Sequence, residues 1–151
     1  MNAWVVYDSQ YGNTEKIARA VGDALGSDAR VTRAGGVNPV DLETADLLVV
    51  GSPTHGGRPT EAIQGLLGRL EESLPTGARV AAFDTRLAAK WVRVFGYAAP
   101  KIARALEEAG GTLVAPAEGF VVEGRAGPLK DGELERAAGW TRELVGGDAR
   151  E

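Results

Sequence analysis

The segment Asp8-Ser9-Gln10-Tyr11-Gly12-Asn13-Thr14 sits between an apolar run and a helical pattern. It offers hydroxyls at Ser9 and Thr14, a side-chain amide at Asn13, a permissive Gly12 and no basic residue before Lys16. Backbone N–H groups at a helix start, with hydroxyl donors beside them, can hold a phosphate without a cation. The plainer alternative is a cap, with Asn13 or Thr14 closing the first helical turn. A cap alone does not need six polar or small residues, so the phosphate reading is favoured. A second segment, Gly51-Ser52-Pro53-Thr54-His55-Gly56-Gly57-Arg58-Pro59, follows another apolar run. It reads either as a rigid Pro/Gly loop or as a place where adjacent glycines let main chain approach a planar ligand and change conformation. Asp84-Thr85-Arg86 follows a further apolar run, and the plain reading there is a turn in which Asp84 or Thr85 caps the next helix.

Other chemistries are excluded by what is missing. Cysteine is absent, which removes disulfides, thiol nucleophiles and iron–sulfur ligation, and the single His55 rules out a multi-histidine metal site. Neither GxxxxGK[ST] nor a strand-following GxGxxG is present. No acidic residue stands at Gly51-Ser52-Pro53, where a phosphoacceptor of similar topology would need one, and no nucleophile elbow accompanies His55. The net charge of −4 gives no general reason to bind nucleic acid. No apolar run approaches the ~20 residues of a membrane span, and no secretory signal is evident, so a cytoplasmic location without membrane insertion is expected. Residues 51–100 carry a small basic excess between two acidic thirds.

The elements that must position these segments follow from periodicity. Ala3-Trp4-Val5-Val6-Tyr7, Leu47-Leu48-Val49-Val50 and Val80-Ala81-Ala82-Phe83 are apolar throughout, as strands buried on both faces of a parallel sheet are. Residues 29–33 alternate and read as an edge strand; 112–114 and 120–122 flank a break at Pro116 and also suit an edge. Helices are expected over 14–25, 61–74, 101–109 and 131–145, the last presenting Leu134, Ala138, Thr141 and Val145 on one stripe. Leu87, Trp91 and Phe95 recur at helical spacing, and the favoured reading is a core-facing stripe; the alternative places Trp91 or Tyr97 over a bound ligand or in a subunit contact. Strand–helix alternation over 151 residues predicts one α/β domain spanning 1–151, a parallel sheet covered on both faces. Ligands bind such sheets beyond the carboxyl ends of the strands, where all three segments fall.

Residues 6–18, Val-Tyr-Asp-Ser-Gln-Tyr-Gly-Asn-Thr-Glu-Lys-Ile-Ala, resemble the FMN-phosphate loop of the flavodoxin family, and the element rhythm resembles that family, in its short-chain form, over nearly the whole chain. The resemblance implies a three-layer sandwich around a five-stranded parallel sheet in order 2-1-3-4-5. It implies that Ser9, Gln10, Tyr11, Gly12, Asn13 and Thr14 hold the phosphate of FMN. Pro53, Thr54, His55, Gly56 and Gly57 then meet the ribityl chain and ring, and Asp84, Thr85 and Arg86 the ring's other side. Tyr11 stands where many members have threonine, His55 where an aromatic often stacks, and no tyrosine directly follows Arg86. The implied function is electron transport between redox protein partners, with the flavin carrying the chemistry. Two rivals are an FMN-dependent quinone reductase and a flavodoxin-like interaction domain that has lost flavin. His55, Arg58 and Arg86 in the ring loops, with Lys90 and Arg93 close behind, lead to the expectation of a ring potential raised by positive charge.

Overall fold

A computed structural model describes residues 1–70, 74, 77–88 and 96–149, the last three by backbone alone. β1 (Ala3–Tyr7) is buried at every position, and it pairs in parallel with β2 (Arg30–Arg33) on one side and β3 (Leu47–Pro53) on the other. β4 (Arg79–Leu87) lies beyond β3. The next position is shared by two short strands, β5 (Thr112–Leu113) and β6 (Glu118–Val122), which pair with successive parts of β4. The order is therefore 2-1-3-4-5, as expected, with the Pro116 break dividing the last strand.

Side chains of the central strands point alternately to the two faces. Trp4, Val6, Leu48, Val50, Val80 and Ala82 pack with α2 (Glu61–Arg69) and α3 (Ala98–Glu108) through Ile63, Leu66, Ile102 and Leu106. Val5, Tyr7, Leu47, Val49, Ala81 and Phe83 pack with α1 (Asn13–Leu25) and α4 (Glu133–Ala149) through Ile17, Val21, Ala137, Trp140 and Leu144. Phe83, Phe120 and Trp140 form an edge-to-face trio with centroids 6.0–6.1 Å apart. The tip of the Phe83 ring lies so close to Gly51 that a Cβ there would come within 2.0 Å of its Cζ. Glycine is thus fixed at the point where β3 leaves the core for the second loop.

The structure shifts some expected elements. The buried stripe of α4 is Ala137, Trp140, Thr141 and Leu144, whereas Leu134 and Val145 are 44% and 38% exposed. The large indole, drawn into the aromatic trio, sets the helix's rotation. α3 starts at Ala98 instead of Lys101, because Pro100 falls in the first turn, where no N–H is needed. Leu87 closes β4 and belongs to no helix stripe. Trp91, Phe95, Lys90 and Arg93 lie outside the described residues, as does most of 71–76, where the second helix was expected to end.

Candidate functional site

β1 ends at Tyr7, and the chain turns through residues 8–12 into α1. Ser9 shapes that turn: its Oγ accepts the N–H groups of Gly12 (3.1 Å) and Glu15 (3.4 Å). Gly12 occupies the N-cap at φ 94° with no side-chain cap of its own, a left-handed conformation that suits glycine. Among the described residues, the N–H groups of Gln10, Tyr11, Asn13 and Thr14 make no hydrogen bond. Those of Asn13 and Thr14 are orphan donors of the first helical turn, and those of Gln10 and Tyr11 belong to the loop just before it. Arg33, at the end of β2, braces the loop from outside, donating to the Ser9 carbonyl (3.1 Å) and to Glu15 (3.3 Å). The hydrogen bond from Arg19, with the charges of Arg19 and Arg33, holds the Glu15 carboxyl below its usual pKa.

The second loop is a tight turn. His55 and Arg58 exchange both backbone hydrogen bonds (2.8 and 3.0 Å), and Gly56 and Gly57 sit at φ 57° and 80°. Two consecutive positive φ values at the corner are those of a type I′ turn. Lys101 of α3 donates to the Gly57 carbonyl. Thr54 links this loop to its neighbours, its N–H bonding the Thr85 carbonyl (3.0 Å) and its Oγ1 accepting the Ala98 N–H (3.2 Å).

The third segment remains within β4, alongside β6. Asp84 is fully buried and accepts from Arg86 through two nitrogens (2.7 and 2.8 Å) and from the Ala99 N–H (2.8 Å). Burial raises its pKa, against the opposing pull of Arg86 and of the helix N–H. One face of the Arg86 guanidinium lies 3.6 Å from the Tyr97 ring centroid. Gly119 lies against it as well, since a Cβ there would come within 2.2 Å of the guanidinium carbon. Thr85 reaches across to α1, its hydroxyl 2.8 Å from that of Thr14.

These loops border one cleft of about 440 Å³, inside the ~300–1,000 Å³ range of small-molecule sites. Ser9, Gln10, Tyr11, Asn13, Thr14, Pro53, Thr54, His55, Gly56, Gly57, Thr85 and Arg86 line it. Gly12 and Asp84 do not: Gly12 turns the chain into α1, and Asp84 holds Arg86 and caps α3. The cap is the plain reading that the sequence offered for Asp84. Leu87, Val122 and Arg125 also line the cleft. Pairing of β6 with β4 brings the last two there, and no local motif marks them. Unbonded N–H groups at a helix start, a glycine turn and a cleft of this size fit a phosphorylated planar cofactor. No described helix is long and apolar enough to cross a membrane.

No curated protein matches the chain. Among solved structures, a flavodoxin from the domain Archaea is 24% identical, with a TM-score of 0.79 and 100% of both chains covered. Flavodoxin 2 from Bacillus cereus is 21% identical, with a TM-score of 0.83 over 97% of this chain and 99% of that one. A short-chain flavodoxin associated with a bacterial microcompartment is 22% identical, with a TM-score of 0.82 and 97% of each chain covered. At these identities the likeness is one of fold. The family model for flavodoxins matches residues 5–140, which takes in all three loops, and the chain belongs to the flavodoxin family.

Proposed function

We propose that the cleft binds FMN and that the protein carries electrons between redox proteins. The observation that carries this reading is the row of unbonded N–H groups at Gln10, Tyr11, Asn13 and Thr14, at the edge of a cleft that also contains a two-glycine turn. The N–H groups and the Ser9 and Thr14 hydroxyls hold the phosphate. Residues 53–57 and 85–86 then bound the ribityl chain and the ring. Bound flavin supplies the redox chemistry, and the protein supplies orientation and electrostatics. The residues described perform no covalent or acid–base step in this role.

Cofactor choice provides the test. The phosphate end is built for one terminal monophosphate, so FMN is expected to bind more tightly than riboflavin or FAD in a titration followed by flavin fluorescence. The hydroxyls of Thr14 and Thr85 share one hydrogen bond, which leaves one of their two protons to donate elsewhere. Thr14→Ala is therefore expected to weaken FMN by about 1–3 kcal/mol, the cost of removing one partner of a charge-assisted hydrogen bond. Equal affinity for riboflavin and FMN in the unsubstituted protein would remove the phosphate assignment.

A further inference from the structure

Beyond β6 the chain folds back on itself before entering α4. The Glu123 N–H donates to the Pro128 carbonyl (2.9 Å), Gly127 to Gly124 (3.0 Å) and Lys130 to Val121 (2.9 Å). Val122 and Leu129 form an antiparallel bridge at the base. One side of this hairpin is anchored to β4, where Val122 pairs with Leu87. The other side rests on the first residue of α1, since a Cβ on Gly127 would come within 2.8 Å of both amide atoms of Asn13. The hairpin therefore spans from the ring-side strand to the anion-binding end.

Arg125 sits within it and lines the same cleft as Ser9, Tyr11 and Asn13. Its Cα lies two peptide units, hence at most ~7.6 Å, from the Cα of Gly127, the residue that rests on Asn13. Arg125 is exposed and makes no hydrogen bond or ion pair among the described residues. Arg86, the other arginine that lines the cleft, is engaged with Asp84, and Arg33, behind the first loop, with Glu15 and the Ser9 carbonyl. The loop over 9–14 has only neutral donors and is flanked by Asp8 and Glu15. A phosphate dianion there gains hydrogen bonds but no counter-charge from the loop itself.

We propose that the hairpin is a second phosphate-holding element, and that Arg125 supplies the cation that the first loop lacks. This rests on the FMN reading above. Guanidinium binds phosphate by paired, charge-assisted hydrogen bonds, and a lysine reproduces the charge but not the fork. Riboflavin has no phosphate, so Arg125 acts on the difference between the two flavins and not on flavin binding as such.

The experiment measures dissociation constants of FMN and riboflavin for the wild type, Arg125→Gln and Arg125→Lys at low and high salt. Arg125→Gln is expected to weaken FMN about ten- to a hundredfold, leave riboflavin unchanged and lose most of the salt sensitivity of FMN binding. Arg125→Lys is expected to keep part of the preference for FMN. Equal losses for both flavins, or no loss for either, would overturn the assignment of Arg125 to the phosphate. A wild-type protein that binds the two flavins equally, or binds neither, would overturn the FMN reading instead.

Discussion

Asp84 and Arg86 show how a residue's role depends on its nearest neighbour. From sequence, Arg86 is a cation in a ring-side loop; at ~8 Å and an effective dielectric of about 20 such a charge is worth roughly 2 kcal/mol to a reduced ring. In the structure a buried carboxylate lies 2.7 Å from it, so the cleft meets a dipole, and the raised ring potential expected from Arg86 shrinks accordingly. The pair serves the fold: Asp84 caps α3, while Arg86 is held between Tyr97 and Gly119. Burial raises the Asp84 pKa above its unfolded value. Its contribution to stability is thus greatest below the unfolded pKa, ~3.9, and is lost as pH rises through the higher folded value. Arg86 opposes that loss, so Arg86→Gln enlarges it. The variant is expected to be about 1–3 kcal/mol less stable than wild type at pH 8 and closer to it at pH 5, the full cost of breaking a buried pair being reduced because Arg86 is 21% exposed. Urea unfolding at the two pH values measures this, and an equal deficit at both would assign the loss to packing on Tyr97.

Among the elements, the turn at His55–Arg58 has one peptide unlike the rest. The His55 and Arg58 main chains bond each other and the Gly57 carbonyl accepts from Lys101, whereas the Gly56–Gly57 peptide has neither N–H nor carbonyl bonded among the described residues. It is the peptide free to rotate and present either group to the cleft. A β-branched residue at φ 57° is strained by roughly 1–2 kcal/mol, which changes the balance between the two orientations. Gly56→Val is expected to lower the yield of one-electron-reduced flavin in a stepwise reductive titration more than it lowers affinity for oxidised FMN. An unchanged yield would make the turn a passive wall. The sequence shows this turn because adjacent glycines announce it, and it shows the first loop because polar residues stand between an apolar strand and an apolar-periodic helix. Arg125 is invisible there: its place depends on β6 pairing with β4, a non-local contact with no local pattern. The rotation of α4 is hidden for a related reason, since Leu134 and Val145 fit the helical period as well as Trp140 does. Only the packing of Phe83 and Phe120 against the indole decides between them.

At the scale of the whole molecule, the cleft borders the β1–α1 loop, the β3–α2 turn, the end of β4 and the β6–α4 hairpin. Thr14 is bonded to Thr85, Thr54 to Thr85 and Ala98, and Gly127 rests on Asn13, so the walls are tied to one another across elements far apart in sequence. An unfolded chain cannot assemble such a site, and FMN that binds only the folded state raises its stability by mass action. At a free concentration one hundred times the dissociation constant the gain is about 2.7 kcal/mol. For a chain of this size each kcal/mol moves the melting temperature by about 2–4 °C, which predicts a rise of about 5–10 °C. Riboflavin at the same concentration, without the phosphate contacts, is expected to give a smaller rise. Calorimetric or fluorescence melting with each flavin provides the measurement, on protein whose visible spectrum shows whether flavin was already bound. A colourless protein whose melting temperature moves with neither flavin would be an interaction domain built on the flavodoxin fold, because a cleft closed by four separate parts of the chain cannot take up its ligand without stabilising all of them.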